Sequence, residues 1–402
     1  MRVHPPLVRG IEEALQSVLV HSRPADRALD ELFRRNRKWG ARDRRFVAES
    51  VYELVRWKRR FEAVLLGQGQ NDNRPPNLPN LARLISVYGI IEGWDEVPEK
   101  LQAEEVKRAL GQPSSRAVRH SIPDELDALG FEHFGPTWDV EMQALNERAP
   151  IDLRVNAWRA SRDEVARRLE LEGIPTEPLA DGGDGLTLLA RKNVFATKVF
   201  QEGLFEVQDR ASQRVAPFLD PQPGERIIDA CAGAGGKSLH LAALMKNSGK
   251  ILALDVVSGK LKELERRARR ARVSNIETRL IASRKVIKRL HGTADRLLLD
   301  VPCTGLGVLR RNPDAKWRFN SGLHQRVREL QATILREDSV IVKVGGVMVY
   351  STCSILPTEN TQQVNEFLAD ARGAFVLEEQ WSVLPSERRG DGFFAARLRR
   401  RR

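Results

Sequence analysis

From residue 205 onward, short apolar runs rich in β-formers alternate with segments of helical or turn-rich character. The runs are RIIDA (226–230), ILALD (251–255), ETRLI (277–281), RLLLD (296–300) and VMVYS (347–351). Buried runs joined by helical crossovers predict a parallel, doubly wound sheet covered on both faces. A helix is expected to start near Thr358, with FVLEE (375–379) and FFAARL (393–398) as closing strands. No internal repeat interrupts the pattern.

Residues 1–145 follow a different period. Phe46, Val47, Ser50, Val51, Leu54 and Trp57 recur at three- and four-residue intervals, which predicts one buried stripe on a helix. Arg56, Lys58, Arg59 and Arg60 are expected on the opposite, outward face. By their Pro, Asn and Gly content, NDNRPPNLPN (71–80) and GQPSSR (111–116) read as loops between helices. Farther on, IDLRVN (151–156) predicts a strand, and Ser161 with Glu164 forms a capping box that opens a helix ending near Glu172 and Gly173. The turn-rich TEPLADGGDGL (176–186) reads either as part of this small unit or as an irregular linker. Three parts result: a helical domain at 1–145, a small α+β unit at 146–205 and an α/β domain at 206–402.

The chain has 402 residues, enough for two or three domains, and its 41% apolar and 30% charged residues are a globular composition. No apolar run approaches the roughly 20 residues of a membrane span, and MRVHPPLVRGIEEAL lacks the apolar core of a signal peptide. A soluble, cytoplasmic protein is expected. Three cysteines without framework spacing exclude a disulfide scaffold and leave reduced thiols available for chemistry. The seven histidines show no ligand spacing and no CxxC occurs, so no metal is expected. A net charge of +12 points to a polyanionic partner, most often nucleic acid. The charge is clustered in RRNRKWGARDRR (34–45), RWKRR (56–60), RRARRAR (266–272) and the terminal RLRRRR (397–402). That terminal run reads equally as a phosphate contact or a solvated end. Trp39, Trp57 and Trp317 lie among basic residues as candidates for stacking on bases, with Trp57 assigned instead to the apolar stripe.

DACAGAGGKS (229–238) leaves the first strand of the α/β part through a glycine-rich turn into a helix. Small residues let a ligand approach the backbone there, and the helix N-terminus offers unpaired N–H groups. A P-loop needs Gly where Cys231 stands, and the dinucleotide fingerprint needs Gly where Ser238 stands, so both are near misses. A purely structural turn is the bland alternative. Asp255 ends the second strand at the spacing of an acid that accepts ribose hydroxyls, which fits an adenosine-containing cofactor; it also suits the N-cap of the helix at 259–272. Cys303 and Cys353 lie just past the fourth and fifth strands, which run side by side about 4.8 Å apart, so both thiols face one crevice beside the cofactor. Carbon 5 of cytosine becomes nucleophilic once a thiolate adds to carbon 6. An adjacent carboxyl, Asp300, can hydrogen-bond the base at N3 and N4, and a second thiol can assist loss of the carbon 5 proton.

Together VQDRASQ (207–213), CAGAGGK (231–237), DVPCTGLGVLRRNPDAKW (300–317), YSTCSILPTEN (350–360) and GDGFF (390–394) resemble the RNA cytosine-5 methyltransferase family, in particular its bacterial 16S rRNA methyltransferase B (RsmB/Sun-like) branch. The resemblance spans the last half of the chain. It implies a Rossmann-like class I methyltransferase domain behind an N-terminal all-α, NusB-like RNA-binding domain. It also implies S-adenosylmethionine as methyl donor, held by Cys231, Ala232, Gly233, Ala234, Gly235, Gly236, Lys237, Asp255 and Asp300. By the same resemblance Cys353 is the nucleophile and Cys303 assists release, acting on a cytidine of RNA, with 16S rRNA as the expected substrate. A monomer is expected. Two positions depart from the family pattern. Ala234 stands where Pro is usual, and LIASRK (280–285) offers Ala282 or Ser283 where an acid near the adenine is usual. Rival readings are an exocyclic-amine methyltransferase, which needs an Asn/Asp-Pro-Pro-aromatic loop in place of DVPC, and a non-catalytic RNA-binding ribosome-assembly factor. A P-loop NTPase is more distant still.

Overall fold

In the α/β part the sheet predicted from the apolar runs forms around five parallel strands. The computed structural model describes residues 1–66, 80–112, 115–180, 183–388 and 390–402; the expected loops at 71–80, 111–116 and 176–186 fall largely or partly outside them. Two units are distinguished, residues 1–147 with 309–321 and residues 148–308 with 322–402.

The first unit is helical. Its longest helix, α1 (Ala41–Leu66), buries Val47, Ser50, Val51 and Leu54 as the periodicity predicts. The predicted basic exterior is corrected by the structure: Arg56 is only 4% exposed, and its Nη2 donates to the Arg310 carbonyl at 3.0 Å. Arg59 donates to the Ile122 carbonyl and Asp124, and Arg60 donates to the Leu110 carbonyl. Arginine stems pack on apolar surface while their planar heads satisfy backbone carbonyls in loops and at a helix end, so these cations act as internal ties. Residues 309–321, placed by sequence in the α/β part, belong to this unit. Lys316 donates to the Arg56 carbonyl at 2.7 Å, and Trp317 donates to the Val55 carbonyl at 2.7 Å. Trp39 covers Gly10, where a Cβ would lie 2.3 Å from the ring. Trp39 and Trp317 are therefore packing residues of this unit's core rather than free stacking platforms.

The second unit opens with an antiparallel sheet of β1 (Asp152–Val155), β2 (Thr176–Pro178), β3 (Gly185–Leu188) and β4 (Phe205–Val207), in the order β2-β3-β1-β4. Helix α2 (Arg162–Leu171) packs on it, and the predicted cap is present: Ser161 Oγ accepts the Glu164 amide. The larger sheet contains β5 (Arg226–Asp229), β6 (Lys250–Asp255), β7 (Ile276–Leu280), β8 (Ala294–Asp300), β9 (Val342–Thr352), β10 (Phe375–Val383) and β11 (Phe393–Arg400), in the order β10-β11-β9-β8-β5-β6-β7. The five strands from β5 to β9 pair in parallel, whereas β11 pairs antiparallel with both β9 and β10. The short connection between β10 and β11 makes a hairpin, and a hairpin is necessarily antiparallel. The sheet is therefore mixed. Its strands carry the core: Ile228, Leu252, Leu299, Met348 and Tyr350 are at most 1% exposed.

Part of the terminal arginine run is committed to the fold, while Arg401 and Arg402 are exposed. Arg397 and Arg399 pair with Glu378, and Arg400 donates to the Val340 and Val342 carbonyls.

Candidate active site

Asp229, Asp255 and Asp300 are each the last residue of a parallel strand, and Thr352 ends the neighbouring β9. At that edge backbone N–H groups and strand-end side chains converge, the general ligand position of a doubly wound sheet. A cavity of 930 Å³ opens there, lined by the glycine turn and by all three aspartates.

Cys231–Lys237 leads into helix α3 (Gly236–Leu244). Gly235, at φ +84°, is its N-cap, and a Cβ there would lie 2.3 Å from Leu264 of α4 (Ser258–Ala271). No other residue fits both the left-handed backbone and that contact. Ala234, where the family usually has Pro, presents its carbonyl to Arg267 Nη1 at 2.7 Å, so a side chain supplies rigidity to the turn. Arg267 and Arg270 also pair with buried Glu206 of β4. Part of the basic helix is thus committed to the fold, while Arg269 and Arg272 are exposed.

Asp255 accepts the Gly233 amide at 3.0 Å and the Val257 amide at 2.8 Å, so one carboxylate ties the glycine turn to the end of β6. The expected N-cap role is not what forms: Val257 is the N-cap of α4, with no side-chain cap bond, because β6 ends two residues earlier, and Asp255 lines the cavity instead. Asp300 accepts Lys237 Nζ at 2.6 Å and Ser351 Oγ at 2.9 Å. Asp229 is buried and accepts Ser238 Oγ at 2.6 Å; burial pushes its pKa up to about 7. Sequence reasoning passed over Asp229, although its place at the start of the glycine motif was a signal.

Strand register brings the cysteines together. Asp300 of β8 is paired with Ser351 of β9, and the thiols follow three and two residues later. Their Sγ atoms lie 3.2 Å apart. The Cys303 thiol is pushed well above the usual range by its contact with Cys353 and by desolvation, so it keeps its proton. The third thiol, Cys231, lies in the cavity wall, where burial and the surrounding aspartates push it up too.

One residue essential to this geometry was not singled out from sequence. Glu359, fully buried, accepts the Thr304 amide at 2.9 Å, Gln331 Nε2 at 3.0 Å, Ser354 Oγ at 2.6 Å and the Thr304 hydroxyl. It binds the residue after Cys303 to the residue after Cys353. Its signal was its place inside YSTCSILPTEN. The VQDRASQ and GDGFF motifs also prove to be framework: Asp209 accepts the Ala211 and Asp391 amides, and Arg210 forms a two-pronged pair with buried Asp152 of β1. At the other end of the cavity, Ser283 and Arg284 follow β7, and Arg284 donates to Asp338 at 2.6 Å.

S-adenosylmethionine carries a sulfonium and an ammonium on a nucleoside. A cavity with three strand-end carboxylates and a backbone turn free of bulky side chains suits that charge pattern. Among the described residues no group of His, Cys, Asp and Glu could hold a metal ion, and no helix is long and apolar enough to cross a membrane.

Comparison with known proteins places the chain among close relatives. Residues 216–399 match the family model described as 16S rRNA methyltransferase RsmB/F, and residues 131–195 match its ferredoxin-like domain. A probable ribosomal RNA small subunit methyltransferase B of Synechocystis is 31% identical, with 89% of this chain and 91% of the relative covered. Its Bacillus subtilis counterpart is 35% identical over 80% of this chain and 76% of the relative. Among solved structures, a methyltransferase homologue protein from Pyrococcus horikoshii superimposes with a TM-score of 0.63 at 26% identity, covering 71% of this chain and 97% of that one. With glycine turn, strand-end acids and paired thiols in these positions, the chain belongs to the 16S rRNA methyltransferase RsmB/F family.

Proposed function

We propose that this rRNA methyltransferase transfers a methyl group from S-adenosylmethionine to carbon 5 of a cytidine in 16S rRNA, through a covalent bond between Cys353 Sγ and carbon 6. The observation that carries the reading is the pair of thiols 3.2 Å apart beside a cavity edged by Asp300. Methylation at a ring nitrogen or exocyclic amine has no use for two apposed thiols. Carbon 5 of cytosine does.

Residues 231–237 and Asp255 hold the cofactor, with Asp300 between it and the base. When bound, S-adenosylmethionine supplies an electrophilic methyl group. Cys353, as thiolate, adds to carbon 6, and the electron pair of the 5,6 double bond becomes available at carbon 5. Asp300, fixed by Lys237 and Ser351, accepts from the exocyclic amine and steadies the ring as charge develops. After transfer carbon 5 carries both its proton and the new methyl. Once Cys353 is bonded to carbon 6, Cys303 releases its own proton to solvent and as thiolate takes the carbon 5 proton; the electron pair of that C–H bond re-forms the double bond and Cys353 leaves as thiolate. The base must present its face to Cys353, so the target nucleotide is single-stranded or turned out of its stack.

The test is to incubate wild type, Cys353→Ala and Cys303→Ser with methyl-labelled S-adenosylmethionine and protein-free 16S rRNA. Labelled 5-methylcytidine and denaturant-resistant protein–RNA adducts are then measured. The expected outcome is transfer by wild type, neither product with Cys353→Ala, and accumulated adduct with Cys303→Ser. Methylated cytosine from Cys353→Ala would overturn the mechanism. RNA binding without transfer by wild type would overturn the substrate assignment.

A further inference from the structure

We propose that Asp338, held by Arg284, is the acceptor that reads the 6-amino group of the cofactor's adenine. The inference rests on the cofactor reading above and adds a binding residue to it. Five carboxylates line the cavity among the described residues. Asp229 takes the Ser238 hydroxyl, Asp255 takes two backbone amides, and Asp300 takes Lys237 and Ser351. Glu337 and Asp338 have no part in that scheme. They close helix α5 (Ser321–Asp338), and both pair with Arg284.

Position assigns them a role. An adenosine whose ribose sits at the end of β6 extends its base away from β5, toward β7, the strand on the other side of β6. The segment after β7 brings Ile281, Ser283 and Arg284 into the cavity, while α5 brings Leu330, Ile334 and Asp338. The aliphatic side chains supply apolar walls for a flat ring. Ala282 and Ser283 supply no carboxylate, and among the described lining residues Glu337 and Asp338 of α5 are the acids beside Arg284. Asp338 is 2% exposed, yet an ionised carboxylate has about four lone-pair positions and Arg284 fills only part of them. A carboxylate acceptor next to a guanidinium donor matches the edge of adenine, where the 6-amino donor adjoins the N1 acceptor. A tethered ring with an oxo group at carbon 6 turns an acceptor toward Asp338.

Calorimetric titration of the full-length chain with S-adenosylhomocysteine and with S-inosylhomocysteine, in which oxygen replaces the 6-amino group, tests this without turnover. Wild type is expected to prefer the adenosyl ligand by roughly 30-fold, the order of discrimination seen when a buried polar group loses its partner. In Asp338→Asn, whose amide can accept or donate, and in Asp338→Ala, the preference falls to within about 3-fold, chiefly by weaker adenosyl binding. The isosteric Asn variant keeps the test decisive if Ala fails to fold. A wild-type ratio near one, or an undiminished ratio in a folded variant, overturns the role of Asp338. If wild type binds neither ligand, the cofactor reading itself falls, a result distinct from either.

Discussion

Glu359→Gln changes one atom in the buried centre of the site and leaves its volume intact. The carboxylate receives two N–H donors on Oε2, from Thr304 and Gln331, and two hydroxyls on Oε1, from Ser354 and Thr304. The N–H donors cannot reverse, so the glutamine oxygen must face them; its NH₂ then faces the hydroxyls, which can rotate to accept. Both N–H donors keep an acceptor, while the two hydroxyl protons lose theirs. Charge assistance is also lost, about 1 kcal/mol for each bond, hence ~2–4 kcal/mol after allowing for non-additivity. Glu359→Ala strands both N–H donors and opens a cavity, for a cost of ~4–6 kcal/mol. Urea denaturation measures both costs, read as a shift in midpoint at constant slope. A site loosened by about 1 Å also loses roughly 10²-fold in single-turnover methyl transfer. If Glu359→Gln unfolds within ~0.5 kcal/mol of wild type and transfers label at the same rate, the carboxylate does not hold the two thiol segments in place.

The Asp229 carboxyl, shifted from 3.8 to about 7, is worth roughly 4 kcal/mol of pH-dependent stability. Its unfolded form ionises first, so between pH 4 and 7 the unfolded chain holds fewer protons and stability falls as pH rises. The advantage of wild type over Asp229→Asn in denaturant should shrink across that window and level off above it; a pH-independent difference would contradict the buried-acid assignment. Burial pushes the Lys316 ammonium well down, so its contribution runs the other way: the unfolded chain holds the extra proton and stability rises with pH. Lys316→Met should accordingly be relatively most stabilising at low pH, with the gap to wild type changing toward pH 10 in thermal melts. At Gly307 a Cβ would lie 2.2 Å from the Gly392 carbonyl oxygen and 2.7 Å from that of Cys353. Gly307→Ala should therefore lower adduct formation roughly 10²-fold by displacing the Cys353 backbone, whereas equal adduct yield would show that the segment yields freely.

Strand and helix positions were legible because they depend on local periodicity. Each predicted run from 226–230 to 393–398 overlaps a strand, and Ser161 caps its helix. The glycine turn and both thiols were legible because a motif announces chemistry by residue type. Three features depended on contacts across long sequence separations. Arg56, polar and in a basic run, is buried because residues 309–321 return a carbonyl to it from 254 positions away. The arginines of the last strand are consumed by Glu378 and by carbonyls near Val340, partners that only the hairpin's register selects. Glu359 reads as an ordinary acid until Thr304, Gln331 and Ser354 converge on it. The sequence by itself determined which segments are strands and named the candidate reactive groups. Register between β8 and β9 decided that two thiols 50 residues apart meet at 3.2 Å, because a pattern of period two names a strand's faces but not its neighbour's alignment.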